Sequence, residues 1–142
     1  MPLDLILHIG PHKTGTTSIQ KSLYESRDNL IQNGISPFHI EPGQIRDLSV
    51  AYSQQIEQRH PELMAQFGSS EKVVEHSLAC WRRFEEDVAK NRNGSPYALL
   101  SSEHFSTLGE PEAFFERLKA MFDKITVVAY VRDAVPMFLS SL

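Results

Sequence analysis

Short apolar runs alternate along the chain with longer stretches in which apolar residues recur at helical spacing. Residues 3–9, Tyr97–Ser102 and residues 125–131 are apolar runs that predict strands, and the first is typical of a strand buried inside a parallel sheet. A further short strand is predicted over residues 35–40, at a sheet edge or strand end because it contains Pro37. Strands alternating with helices predict an α/β fold with a mostly parallel sheet.

The helical stretches predict the layers on either side of this sheet. Apolar residues at helical spacing indicate helices over residues 18–33, 44–59 and 61–67. A longer helix follows, with Ser70 as its N-cap, and another begins at Pro111 behind an acidic residue. The pattern contains no internal repeat and no low-complexity segment.

Composition narrows the classes of protein that fit this pattern. The chain has 142 residues, which is the size of one domain of ~100–200 residues. Its net charge of −4, from 18 acidic and 14 basic residues, argues against nucleic-acid binding. No apolar run approaches the ~18 residues of a membrane span. Asp4 interrupts the first apolar run and no basic residue precedes it, so the sequence does not predict a signal peptide. It predicts a cytoplasmic location instead.

Cysteine and histidine patterns predict no metal site. The one cysteine, Cys80, excludes a disulfide framework and a zinc site built on cysteines. It lies beside Trp81 in a helical pattern, which favours a role in packing. His8 lies within the first strand and is interpreted as a core histidine. No set of His, Asp and Glu residues has the spacing of metal ligands.

An anion-binding loop is predicted between the first strand and the first helix, where residues 10–17 read Gly-Pro-His-Lys-Thr-Gly-Thr-Thr. Backbone N–H groups at the start of a helix lack intrahelical partners and attract negative charge. Gly10 and Gly15 let the backbone curve closely around an anion, and Lys13 supplies a full positive charge. Hydroxyl donors come from Thr14, Thr16 and Thr17.

This loop differs from a nucleotide P-loop in the position of its lysine. Four residues separate the two glycines, as in a P-loop, but Thr16 follows the second glycine where a P-loop has lysine. Lys13 precedes that glycine instead. The exchange removes the contact that a kinase or ATPase makes to the β- and γ-phosphates, and it favours a shorter anion.

The loop resembles the 5′-phosphosulfate-binding loop of the sulfotransferase superfamily, close to Pro-Lys-Ser/Thr-Gly-Thr-Thr. Pro11 and residues 13–17 match, and His12 stands between them, as in bacterial sulfotransferases. The resemblance implies a three-layer, P-loop-like fold, 3′-phosphoadenosine 5′-phosphosulfate as the sulfonate donor and no metal. It assigns donor binding to His12, Lys13, Thr14, Gly15, Thr16 and Thr17.

A second signature of the family binds the 3′-phosphate of the donor through an arginine at the end of a buried strand and a serine eight residues later. Arg132 and Ser140 have this spacing after the last apolar run. An arginine fork binds phosphate through two parallel hydrogen bonds. The intervening residues depart from the family, since Asp133 and Pro136 stand where it often has Asn-Pro and a later Asp.

The resemblance also indicates where the catalytic base lies. Ligands of open α/β sheets bind at the carboxyl ends of the strands, and the strand Tyr97–Ser102 leads into Glu103 and His104. Members of the family use either Glu or His. Consecutive strand residues point to opposite faces, so one of the two is expected to face the site, and the match favours Glu103.

These residues predict a sulfotransferase that moves a sulfonate group to a hydroxyl or amine. Carbohydrate, lipid headgroup and small alcohol remain open as acceptors, and the oligomeric state is open as well. The alternatives are a phosphotransferase with an unusual P-loop and a non-catalytic nucleotide-binding remnant. Because domains of this family are longer, residues 1–142 are interpreted as the N-terminal part of one domain that is truncated, which leaves its activity alone open.

Overall fold

The computed structural model describes residues 2–9, 16–37, 44–91, 94–102, 104–105 and 108–129. In chain order the helices and strands in these ranges are β1 (Asp4–Ile9), α1 (Thr16–Glu25), α2 (Arg27–Gln32), β2 (Ile35–Pro37), α3 (Gln44–Val50), α4 (Ile56–Arg59), α5 (Pro61–Phe67), α6 (Ser70–Asn91), β3 (Tyr97–Ser102), α7 (Pro111–Lys119) and β4 (Lys124–Ala129). The predicted bounds of α5 and β3 are confirmed.

The four described strands form one parallel sheet in the order β2-β3-β1-β4. β1 lies between β3 and β4 and pairs with both along its whole length. β2 lies at the edge of the described sheet beside β3, as expected for a strand with a proline, which donates no ladder hydrogen bond. Residues 38–40 of the predicted strand lie outside the described residues. Helices flank the sheet, so the predicted α/β fold with a parallel sheet is confirmed.

The core forms where α6 and α7 pack on one face of the sheet. Leu5 and Leu7 of β1 are fully buried on this face, and in register beside them lie Ala98 and Leu100 of β3. Trp81 of α6 is also fully buried. The aromatic rings of the same cluster belong to Trp81, Phe84, Phe105, Phe114 and Phe122. Burial of these large apolar surfaces is the main driving force for this packing.

The predicted helix over residues 44–59 is wrong, because the chain leaves helical geometry after α3 and resumes it in α4. Contacts from distant segments explain the interruption. The carbonyl of Tyr52 accepts hydrogen bonds from the N–H groups of Gly109 and Glu110, at 2.9 and 3.0 Å, and the N–H of Ala51 donates to Ser77 Oγ at 3.0 Å. Gln55 then adopts a left-handed conformation with φ of 55°.

One predicted helix is divided in two, and the N-cap of another differs from the predicted residue. The single helix expected over residues 18–33 is divided into α1 and α2 by a turn at Ser26, although the N–H of Leu30 still bonds to the carbonyl of Ser26. The hydrophobic pattern therefore continues across the turn and does not reveal it. α6 begins at Ser70, but the hydroxyl that accepts an N–H of its first turn belongs to Ser69, which bonds to Lys72 at 3.3 Å.

β4 differs from the expected buried strand. It begins at Lys124, one residue earlier than predicted, and is described as far as Ala129. Val127 and Val128 are 47% and 39% exposed. β4 is the outermost described strand on its side of the sheet, so its outer edge has no partner strand within the described ranges. None of the described helices has the length and apolar character needed to cross a membrane.

Candidate anion-binding site

The candidate site lies at the carboxyl edge of the sheet, where three adjacent strands end in register. Ile9 at the end of β1 is aligned with Ser102 of β3 and with Ala129 of β4. The described parts of these three strands therefore finish at neighbouring positions along one edge of the sheet. This edge of a parallel sheet is where open α/β proteins bind ligands, because loops and helix N-termini meet there.

The predicted phosphosulfate loop begins at this edge. β1 ends at Ile9, and α1 begins at Thr16, so the loop connects the central strand to a helix N-terminus. The backbones of Thr16 and Thr17 form the first two positions of α1, where N–H groups have no intrahelical acceptor. The other predicted residues of the loop, His12, Lys13, Thr14 and Gly15, lie outside the described residues.

Of the remaining donor and base residues, the structure describes His104. Arg132 and Ser140 lie outside the described residues, after the end of β4, and Glu103 lies outside them, directly after β3. His104 is described. It lies in a short 3₁₀ turn after β3, where its N–H donates to Ser102 Oγ at 3.1 Å. His104 is therefore not a strand residue, and the alternation of side chains along β3 does not decide whether it faces the site.

His104 contacts a second imidazole that sequence reasoning did not single out. Its ring centroid lies 5.9 Å from that of His60, which follows α4 and is 4% exposed. Burial lowers the pKa of His60 against the opposing effect of Glu62, so the neutral imidazole is favoured. No periodic pattern links residues 60 and 104, so only the folded chain shows this pair.

His8 lies on β1 one residue before the strand end and fulfils the prediction of a core histidine. It is 5% exposed, and its Nδ1 lies 2.7 Å from the hydroxyl oxygen of Ser101, its register neighbour on β3. Burial lowers the pKa of His8. The pair connects the two strands whose ends carry the loop and the candidate base.

We expect the free energy of unfolding to decrease as the pH falls below 6.5. His8 and His60 have pKa values below that ordinary histidine value in the folded chain, so protons bind the unfolded chain first and favour unfolding. In denaturant unfolding across this pH range, the free energy of unfolding is expected to fall less steeply with decreasing pH in His60→Gln than in the native chain. Equal slopes for the two proteins would contradict the assignment of His60 as a neutral buried group.

A separate cluster brings together Asp47 of α3 with His76 and Cys80 of α6. Their ligand-type atoms all lie within 4.8 Å of one another. Cys80 is buried, as predicted for a packing residue, and burial raises its pKa. The sequence signal available was the spacing of His76 and Cys80, which are four residues apart on one helix face. Asp47 is 29 positions from His76, so its part in the cluster needed the fold.

Comparisons of the chain with protein-family models, curated proteins and solved structures gave no match.

Proposed function

We propose that this chain is a sulfotransferase that transfers a sulfonate group from 3′-phosphoadenosine 5′-phosphosulfate to a hydroxyl or amine acceptor. The observation that carries the proposal is the register of the central strands. Ile9, Ser102 and Ala129 end β1, β3 and β4 side by side, and the loop, the candidate bases and the arginine signature follow them in sequence. Three sequence signals far apart in the chain thus follow strands that are neighbours in the sheet.

Donor binding uses the two anion signatures. The 5′-phosphosulfate is bound by the N–H groups that begin α1, by the threonine hydroxyls of the loop and by Lys13. The 3′-phosphate is bound by the guanidinium of Arg132 and the hydroxyl of Ser140. Both phosphates carry negative charge, so their sites require cationic or N–H donors, and each signature supplies them.

The transfer step is an in-line displacement at sulfur. The acceptor oxygen forms a bond to sulfur while the bond from sulfur to the bridging oxygen of the donor breaks. The acceptor proton passes to Glu103 or His104, and 3′,5′-adenosine bisphosphate leaves with the charge that develops on its bridging oxygen. Lys13 neutralises that charge, as cations do in phosphoryl transfer.

His104 has the ring of His60 as a neighbour, with centroids 5.9 Å apart. Burial lowers the pKa of His60, so the neutral form of that neighbour is favoured. The match to the family still favours Glu103, so both residues stay candidates. The acceptor class, a cytoplasmic location and the absence of nucleic-acid partners stay predictions from the sequence.

Ligand stabilisation of the 142-residue chain tests the proposal. We expect 3′,5′-adenosine bisphosphate to raise the melting temperature more than ATP with Mg²⁺ does, because the proposed site binds a 5′- and a 3′-phosphate. If ATP with Mg²⁺ stabilised the chain and 3′,5′-adenosine bisphosphate did not, the sulfotransferase proposal would be wrong and the phosphotransferase alternative would be favoured. Stabilisation by the bisphosphate, without its release from the sulfated donor with any acceptor, would indicate the non-catalytic remnant.

An arginine variant sharpens the same experiment. We expect Arg132→Ala to weaken binding of 3′,5′-adenosine bisphosphate by about 10–100-fold, since hydrogen bonds to charged groups contribute ~1.5–3 kcal/mol. Binding of adenosine 5′-phosphate, which lacks the 3′-phosphate, should not change. The control is Arg82→Ala, at an exposed position on α6. Equal weakening of both nucleotides would overturn the role of Arg132 at the 3′-phosphate.

A further inference from the structure

Asp47, His76 and Cys80 offer three different ligand atoms at distances close to those of a tetrahedral metal site. Asp47 Oδ2 lies 2.9 Å and Cys80 Sγ 3.7 Å from His76 Nε2, and all three atoms lie within 4.8 Å of one another. Zinc bonds of ~2.0–2.3 Å place tetrahedral ligand atoms roughly 3.3–3.7 Å apart. Shifts of about 1 Å or less would bring these atoms to that spacing, which side-chain rotation supplies.

We propose that these three residues bind Zn²⁺ and thereby link α3 to α6. Zinc accepts cysteine sulfur, histidine nitrogen and carboxylate oxygen as ligands, whereas Mg²⁺ and Ca²⁺ select oxygen ligands. The side chains of Asp47 and His76 are 15% and 25% exposed, so a water has access to a fourth position. The ion displaces the thiol proton of Cys80 to solvent as the sulfur–zinc bond forms.

Two hydrogen bonds hold α3 against α6 beside the cluster. Ser77, next to His76, donates its hydroxyl to the carbonyl of Asp47. Trp81, next to Cys80, donates its indole N–H to the carbonyl of Leu48 at 2.7 Å. Because Trp81 is fully buried, these helices cannot separate without disrupting the core. The ligands therefore project from a backbone that is already fixed, which lowers the entropic cost of binding an ion.

Neighbouring side chains orient the ligand atoms. The ring of Phe67 stacks on His76 with centroids 4.5 Å apart and an interplanar angle of 27°. Arg46 binds the other carboxylate oxygen of Asp47, Oδ1, with Nη2 at 2.9 Å, which leaves Oδ2 directed at His76. Arg83 Nη2 lies 3.2 Å from Cys80 Sγ, where it can donate to a bound thiolate. Such outer partners orient metal ligands in established sites.

Cobalt spectroscopy tests the proposal directly, because Co²⁺ replaces Zn²⁺ in sites of this kind and is coloured. The chain, without a polyhistidine tag and freed of metal, is titrated with Co²⁺ under reducing conditions. We expect one equivalent to produce a near-ultraviolet band from thiolate-to-cobalt charge transfer together with intense visible bands of tetrahedral geometry. Added Zn²⁺ is expected to remove both by displacement.

Matched variants decide which residues are responsible. Cys80→Ser is expected to lose the charge-transfer band. His76→Gln is expected to weaken Co²⁺ binding by more than about 10–100-fold, which is the usual loss when only a residue that orients a metal ligand is removed. Glu75→Gln, at an exposed neighbouring position on α6, is expected to bind as the native chain does. Zn²⁺ should also raise the melting temperature of the native chain and not that of Cys80→Ser.

Two outcomes would overturn the proposal. Co²⁺ bound without a charge-transfer band would place the ion on other histidines of the chain. An unchanged spectrum on titration would show that the cluster binds no ion, so that the contact between Asp47 and His76 is a hydrogen bond between the helices and Cys80 only packs beside it. Circular dichroism of each variant separates loss of the site from loss of the fold, and none of these readouts depends on the proposed sulfonate transfer.

Discussion

Lys13→Ala is expected to lower the rate of sulfonate transfer by about 10²–10³-fold, the usual loss when one group that stabilises developing charge is removed. The negative charge on the bridging oxygen grows as the bond to sulfur breaks, so Lys13 interacts more strongly with the transition state than with the bound donor. The loss should therefore fall mainly on kcat rather than on KM. The measurement is release of 3′,5′-adenosine bisphosphate with the best acceptor from a panel of carbohydrates, lipid headgroups and small alcohols.

A second lysine gives the control for this variant. Lys21 is exposed on α1, within the helix that follows the loop, and Lys21→Ala removes the same charge from the same end of the chain. We expect Lys21→Ala to retain the native rate, and both variants to keep the native melting temperature, because Lys21 is exposed and Lys13 is predicted to lie in a loop between a strand and a helix. Undiminished transfer in Lys13→Ala would refute its role in charge stabilisation.

Glu103→Gln is expected to lower kcat by about 10²–10⁴-fold, which is the range for loss of a general base. Glutamine keeps the size of the side chain and removes its capacity to take the acceptor proton. The acidic limb of the pH–rate profile, which reports protonation of the base, should disappear with it. Melting temperatures check that the variant is folded.

His104→Gln is the matched variant for the other candidate base. If Glu103 is the base, His104→Gln keeps the acidic limb and most of the rate. The reverse result, with the limb lost in His104→Gln and kept in Glu103→Gln, would transfer the role to His104 and to its contact with His60. Retention of the limb in both variants would exclude both residues as the base.

The local sequence predicted those elements whose pattern agrees with their surroundings in the fold. Pro61 at the start and Gly68 at the end delimit α5, and Gly68 has φ of 88°, a conformation that L side chains rarely adopt. The apolar run predicted β3 correctly because every residue of the strand after Tyr97 is buried, on both faces of the sheet. The alternation of such runs with helices was sufficient for the parallel α/β class.

The candidate loop was predicted for a similar reason. Glycines, threonines and a lysine lie between an apolar strand and a helix, and each residue type has a physical role within that short segment. The proposed donor chemistry therefore came from the sequence. What the sequence did not contain is the order of the strands, which makes the strands that precede the loop, the candidate bases and Arg132 neighbours in the sheet.

The tertiary structure decided the features that depend on residues far apart in the chain. β1 lies between β3 and β4, and its pairing with them joins positions more than 90 residues apart, such as His8 and Ser101. The end of α3 is fixed by hydrogen bonds from Gly109 and Glu110 to Tyr52, and Asp47 meets His76 only through the packing of two helices. The periodicity of a sequence segment indicates which face of that one helix or strand is buried. It does not indicate which other helix or strand packs against that face, and these contacts depend on that packing.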